Sequence, residues 1–365
     1  MNPYSPLKVF HHPHKLDQLK QGEQPTPAQV QLIISDLCNQ DCSFCAYRMS
    51  GYTSNELFIG SSEPASFGTN NPKRQIPYEK IQAILDDCKT LGVGAIQITG
   101  GGEPLVHPMC LMVLHGVLER GMQLALVTNG TKMNDRVQSI LLDAAWVRIS
   151  IDAGSATTYS KVRRVSTRAW HTVWDNVKQL VQKRDEAGSS LIIGIGFVVT
   201  ADNWPWILDC VQLARDAGVD NIRLSAVFQP EDESYFATFY KEASDLCRQA
   251  EDYNTGEFKV FNNFGDRVAD LKQHSPDYSF CGYQHFTTYI GGDLNVYRCC
   301  GYAYNQRGLI GSITNQSFYT LWKSQEKEED FNSFDAKGCE RCQFNEKNRT
   351  ILYALEPNPA HVDFV

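Results

Sequence analysis

Short apolar runs and amphipathic stretches alternate along most of this chain. Val30 to Ser35 is apolar and reads as a strand. From Pro77 the pattern turns helical. Ile81, Ile84, Leu85 and Cys88 recur at spacings of three and four residues, and Leu91-Gly92 ends the run. Ala95 to Thr99 is a short buried strand, residues 108–120 a helix and Leu124 to Thr128 a strand. The alternation continues with a helix over 134–143, a strand from Trp146 to Ile151, a long helix over 168–187 and a strand from Leu191 to Thr200. A helix over 203–217, a strand from Asn221 to Val227 and a helix from Glu233 to Thr255 complete it. About six βα units in succession argue for parallel strands with crossover helices. They fit the α/β class, as a partial TIM-like (β/α)6 barrel with ligands at the C-terminal ends of its strands.

Outside residues 30–256 the pattern changes. Residues 1–29 read as an irregular arm, in which Pro13 interrupts His11, His12 and His14. After Gly256, residues 257–345 show short strands, aromatics, glycines and a second set of cysteines, as expected of a small α+β domain. Tyr289 to Tyr297 reads as a hairpin turning at Gly291 to Asn295. Residues 346–365 read as a tail. The polar stretch 49–76, with Gly51, Gly60, Gly68, Pro64 and Pro72, is long enough to act as a lid or to be an insertion without a role.

Composition narrows the function. A net charge of −8 argues against a general phosphate-binding surface, so nucleic acid is not the expected partner. No run of 18 apolar residues appears, so no membrane span is expected. Met1 to Lys15 lacks an apolar signal core. The twelve cysteines are grouped as metal ligands are, which suits a reducing cytoplasm better than a disulfide framework.

The candidate chemistry begins at Cys38, Cys42 and Cys45, just after the first strand. Zinc sites usually bring paired C-x2-C ligands and fill a tetrahedral shell, and iron–sulfur clusters usually take four Cys. Three local thiols therefore suggest a centre with one open position; three ordinary cysteines in a buried loop are the bland alternative. Thr99-Gly100-Gly101-Gly102-Glu103-Pro104 follows the second strand, and its glycines let backbone approach a ligand closely. It is not a Walker loop, since no Gly-Lys-Ser/Thr follows. Thr128-Asn129-Gly130 and Ser150-Ile151-Asp152 end the third and fourth strands with groups suited to a ribose and an amino acid. Gly194-Ile195-Gly196 either admits a flat ring or relieves crowding in the barrel.

The pattern C-x3-C-x2-C, with Phe44 before the last Cys, resembles the signature of the radical S-adenosylmethionine (radical SAM) superfamily. The resemblance implies a [4Fe-4S] cluster on Cys38, Cys42 and Cys45, with its fourth iron chelated by S-adenosylmethionine. Gly101, Gly102 and Glu103 would contact the amino group of that cofactor, with Phe44, Asn129, Ser150 and Asp152 near it. Arg163 would pair with its carboxylate, although Arg164 stands where the family usually shows Gly. Cys281, Cys299, Cys339 and Cys342 resemble the ligand set of a twitch domain, the shorter relative of the SPASM domain. They imply one auxiliary [4Fe-4S] cluster; a structural zinc knuckle is the alternative. Cys300 could replace Cys299 as ligand or serve as a hydrogen donor.

The resemblance implies reductive cleavage of S-adenosylmethionine to a 5′-deoxyadenosyl radical, which removes a hydrogen atom from substrate, with electrons from a flavodoxin or ferredoxin type donor. The first reading is modification of a ribosomal peptide. Only about 30 residues precede the barrel, so a separate leader-binding protein is then expected. The second is dehydrogenation of a small molecule such as an aminocyclitol or sugar. The third is a non-catalytic metal-binding or electron-transfer protein.

Overall fold

Apolar alternation becomes a sheet in this computed structural model, which describes residues 3–48, 56–59, 73–228, 232–361 and 363. The strands are β1 (Gln29–Ile33), β2 (Ala95–Thr99), β3 (Gln123–Thr128), β4 (Trp146–Ser150), β5 (Ile192–Val199), β6 (Asn221–Ala226), β7 (Lys259–Asn263), β8 (Thr287–Ile290), β9 (Asn295–Tyr297) and β10 (Leu309–Ser312). They form one sheet of ten strands in the order β10-β9-β8-β1-β2-β3-β4-β5-β6-β7. From β8 through β1 to β7 every pairing is parallel, as crossover helices require. One face of each strand packs on helices. Val30, Leu32, Ile96, Ile98, Leu124, Leu126, Val147, Ile149, Ile193, Ile195, Ile222 and Leu224 are buried there with the helix faces carrying Ile81, Leu85, Val113, Val173, Val177 and Val211. The alternate residues line the lumen. Cys88, Cys110, Cys210 and Cys247 lie in this core, as their helical spacing suggests.

The βα units match the sequence pattern closely, and the departures have causes. The arm expected to be irregular contains a 3-10 turn (Pro6–His11) and a helix (Pro13–Lys20). Val9 and Leu16 bury themselves against Phe286 and Ile351, which sequence alone could not supply. Ile351 belongs to the helix Asn345–Leu355, so much of the expected tail is ordered structure over the arm. The helix expected over 233–255 is cut into a 3-10 turn (Asp232–Phe236), a helix (Tyr240–Ala250) and a 3-10 turn (Glu251–Tyr253). Phe236 and Phe239 both turn into the core, where Phe236 meets Phe264 with centroids 5.7 Å apart. The expected boundary at 256 falls inside the sheet, because β7 follows it and pairs with β6. The hairpin forms as read, with Tyr289 opposite Tyr297, and β8 joins the far side of β1. The expected lid lies largely outside the described residues. Its end is described, where Ser35 bridges Gln75.

Candidate functional site

The cysteine loop leaves β1 and settles on the end of the helix Ala156–Arg163. Ser43 N–H donates to Val162 O at 2.9 Å and Asp41 N–H to Arg163 O at 3.3 Å. Two buried arginines turn their guanidinium groups to the thiols. Arg163 Nη1 lies 3.3 Å from Cys42 Sγ and 3.4 Å from Gln40 Oε1, and its Nη2 pairs with Asp152. Its guanidinium lies 5.6 Å from the centre of the Phe44 ring. Arg48 Nη1 donates to Cys45 Sγ at 3.3 Å and to Gly101 O at 3.1 Å, and Nη2 to Asp36 O at 2.8 Å. Arg48 was not anticipated. Its signal was a lone cation three residues after Cys45, in the turn closing the loop. Burial, then Glu103, pushes the Cys38 thiol up to about 12, and burial raises Cys42 against the pull of Arg163.

Two cations facing thiol sulfurs are poorly matched to neutral thiols and well matched to thiolates carrying an anionic cluster. That donor set fits the [4Fe-4S] centre implied by the motif. Among the described residues no group of three His, Cys, Asp or Glu side chains is arranged around a single metal ion.

The glycine motif holds this loop from the other side. Gly102 N–H donates to Ser35 O at 3.0 Å and Glu103 N–H to Leu37 O at 2.9 Å, zipping the motif onto the residues before Cys38. A Cβ on Gly102 would stand 2.2 Å from Leu37 O. Gly102→Ala therefore cannot keep this pairing and must shift the chain that presents Cys38. We expect a loss of at least about 1–3 kcal/mol of stability and reduced iron uptake, read by denaturant titration and iron assay; native values for both would show that the loop tolerates the shift.

Glu103 serves the loop rather than open space. Its Oε1 accepts from Leu105 N–H at 3.0 Å and from the Thr128 hydroxyl at 2.6 Å, and its Oε2 from Asn129 N–H at 2.7 Å. Burial raises its carboxyl and these three donors oppose the rise. The expected contact of this carboxylate with the cofactor's amino group thus competes with three bonds already made. Asn129 Nδ2 donates to Asn39 Oδ1 at 2.8 Å, tying the end of β3 to the cysteine loop. Asp152 is buried, accepts from Val198 N–H at 2.6 Å and holds Arg163. Burial raises its carboxyl and Arg163 lowers it. Ser150 ends β4 half-buried on the lumen side. Arg164 is exposed at φ +52°, the left-handed position that closes a helix and favours Gly. Arg163 alone of the pair faces the thiols.

The second set converges as well. Cys281, Cys299, Cys339 and Cys342 line one cavity together with Arg298 and Tyr302, and Cys300 is outside that lining. Phe344 N–H donates to Cys342 Sγ at 3.4 Å, and Arg341, within the knuckle, takes φ +52°. Burial leads the shifts here, lifting Cys281 to about 12 and Cys342 to about 11. Cys300 packs instead on the cluster of Tyr289, Tyr297 and Tyr304, with Gln343 Nε2 3.7 Å from its sulfur. This cluster joins the two halves: Tyr304 donates to Asp36 at 2.5 Å, Arg74 donates to the same carboxylate at 2.7 Å, and Gly292 N–H donates to Tyr304 Oη at 2.9 Å.

His285 lies between Phe280 and Phe331, at centroid distances of 5.3 and 5.1 Å, with neither ring nitrogen hydrogen-bonded. Burial, then Lys327 and Arg298, pushes it down to about 3. The unfolded chain takes a proton at this histidine below about pH 6.5, the folded chain only below its depressed value. Stability is therefore complete above the unfolded value and lost as pH falls from there, by up to about 1.4 kcal/mol per pH unit. In His285→Phe that slope is expected to flatten between pH 6.5 and 4, read by denaturation at stepped pH; an unchanged slope would assign the acid loss elsewhere.

Three thiols, a glycine cradle and polar strand ends at one rim of a partial barrel define an α/β enzyme built around a cofactor. Residues 32–202 match the Radical SAM superfamily, so the chain carries a radical SAM domain. It is 26% identical over 171 residues to the tungsten-containing aldehyde ferredoxin oxidoreductase cofactor-modifying protein of Pyrococcus furiosus, a match covering 46% of this chain and 48% of that one. It is 25% identical over 201 residues to a probable GTP 3′,8-cyclase of Pyrobaculum aerophilum, covering 54% of each. The chain thus spans about half the length of the curated relatives it matches. In fold it is similar to Streptococcus suis SuiB bound to the precursor peptide SuiA, at 14% identity and TM-score 0.60, over 91% of this chain and 73% of that one. It is also similar to anSMEcpe with bound AdoMet, at 14% identity and TM-score 0.55, over 90% of this chain and 95% of that one. Among the described residues no helix is long and apolar enough to cross a membrane.

Proposed function

We propose that this enzyme holds a first [4Fe-4S] cluster on Cys38, Cys42 and Cys45 and an auxiliary one on Cys281, Cys299, Cys339 and Cys342, and modifies a ribosomal peptide. The observation that carries the first part is the pair of buried guanidiniums on Cys42 and Cys45. The chemistry such a centre supplies is reductive cleavage of S-adenosylmethionine and removal of a hydrogen atom from substrate. The protein's own groups position and enclose. Arg163 and Arg48 balance thiolate charge, Asp152 orients Arg163, and the Gly101-Gly102-Glu103 loop offers backbone to the cofactor's amino group. Ser150 is a hydroxyl at the lumen edge suited to a ribose. The auxiliary assignment rests on the shared cavity of four cysteines beside Arg298. Cys299 is preferred over Cys300 because Cys300 is outside that cavity, which leaves Cys300 as the candidate hydrogen donor.

Peptide modification is supported by a fold shared with SuiB over most of this chain, since that structure contains a precursor peptide. A separate leader-binding protein and a flavodoxin or ferredoxin type donor are the implied partners. The twelve free cysteines suit a reducing cytoplasm. The second reading is radical chemistry on a small molecule, favoured by the small-molecule cyclases among the curated relatives.

The test is anaerobic. In Cys339→Ala/Cys342→Ala, iron is expected to fall from about eight to about four per chain, with sulfide in step, while 5′-deoxyadenosine still forms from S-adenosylmethionine and dithionite. Iron unchanged in the double variant would overturn the auxiliary cluster. Zinc in the purified wild type at the same positions would favour the knuckle.

A further inference from the structure

The lumen carries a charge pattern that the cofactor site does not use. Trp146, Arg148 and Ser150 face it from β4, and Asn221, Arg223 and Ser225 from β6, while their neighbours face the helices. No lumen-facing position of β1 to β7 holds Asp or Glu. Between the two arginines runs β5, where Arg148 is level with Gly194 and Arg223 with Gly196. The Arg148 side chain runs over Gly196, its Cδ 3.5 Å from where a Cβ would stand, and so leans toward the level of Arg223, while the Asn221 amide fills that place at Gly194.

Neither arginine makes an ion pair among the described residues. Arg148 lies 5.7 Å from the Trp146 ring centre and Arg223 5.4 Å from that of Tyr4. Arg223 Nε is buried without a hydrogen-bond partner. The carboxylate at the nearby mouth, Asp152, is committed to Arg163 and Val198 N–H. Burial, then Arg148, with a smaller push from Arg267, drives Arg223 down to about 9. Two cations, on β4 and β6, thus flank one strand in a chain whose net charge is −8.

Uncompensated guanidiniums in a half-buried chamber are unfavourable until an anion joins them. The planar fork of arginine matches carboxylate and phosphate alike. We propose that the lumen is an anion pocket, in which Arg148 and Arg223 hold a carboxylate or phosphate group of the substrate. This rests on the lumen being the reaction chamber. Both arginines lie two residues before the serines on their strands, roughly 6.6 Å deeper. An anion seated there would leave the rest of the substrate extending toward the cysteine loop.

The test uses cluster-loaded protein with S-adenosylmethionine at saturation, which occupies the cofactor's own carboxylate site. Inorganic pyrophosphate and glutarate are titrated separately by calorimetry at low salt. At least one is expected to bind with one-to-one stoichiometry. Arg223→Gln should weaken that binding by about tenfold or more, and Arg223→Lys, which keeps the charge, by less. Pyrophosphate alone binding assigns a phosphate, and glutarate alone a carboxylate. Should Arg223→Gln melt early, Arg148→Gln carries the same expectation. The proposal is overturned if neither probe binds, or if a variant with native melting binds as the wild type does. Iron content and cofactor cleavage in the same preparations judge the radical reading separately.

Discussion

Cys42→Ala is expected to reduce 5′-deoxyadenosine formation to the level of a protein-free control. Iron in the same preparation should fall from about eight to about four per chain. Cys42 is the thiol most enclosed by charge, with Arg163 at 3.3 Å and Asp152 behind it. Removing it leaves two thiols on the loop and takes from Arg163 the sulfur it faces. A cluster that relied on Cys38, Cys42 and Cys45 together would not survive that loss in a form able to cleave S-adenosylmethionine. Persistent cofactor cleavage in Cys42→Ala would remove this loop from the initiating role. Cys300→Ala, by contrast, should keep both the irons and the cleavage and change only the fate of substrate.

Arg163→Gln should be the most destabilising single change at the site. The side chain is buried and joins three features: the Cys42 sulfur, the Asp152 carboxylate and the Phe44 ring. Removing one partner of a buried pair strands the other, at a cost of about 3–5 kcal/mol. The direction with pH follows from Asp152. Burial, the larger influence, already raises its carboxyl above the ordinary value, and Arg163 restrains the rise. Without the guanidinium the rise is unrestrained. A raised carboxyl contributes stability that is complete below its unfolded value, about 3.9, and lost as pH rises through its folded value. Denaturation of Arg163→Gln should therefore show stability declining from pH 4 to 7 more steeply than in the wild type. Parallel curves would mean that Asp152 finds another donor, and restoration by Asp152→Asn in the same chain would confirm the stranded charge.

Much of this was legible in the residues. Runs such as Ala95–Thr99 and the Ile81–Cys88 repeat are local patterns, and local patterns survive folding when one face is buried throughout. The three-cysteine loop, the Gly-rich turn after β2 and the Cys339-Glu340-Arg341-Cys342 knuckle are likewise local as patterns of residues, although the first two are held in place by distant partners such as Val162 and Ser35. The arm and the tail were misread for the complementary reason. Leu16 and Ile351 are single apolar residues in polar surroundings, and each becomes core only when the other arrives. The uninterrupted helix over 233–255 failed because Phe236 and Phe239 gain more from the core than from continuing the helix.

The sequence by itself thus determined the βα succession, the two groupings of cysteines and the radical SAM motif, since these depend on spacing along the chain. Which arginine faces the thiols was a tertiary decision. Arg163 and Arg164 are adjacent, and only the left-handed turn at Arg164 sends one inward and the other to solvent. The commitment of Glu103 to its own loop, the exclusion of Cys300 from the four-cysteine cavity and the meeting of Arg148 with Arg223 across the β5 glycines were decided the same way. Each depends on groups brought together from distant parts of the chain, whose burial and charge are set only when the sheet assembles.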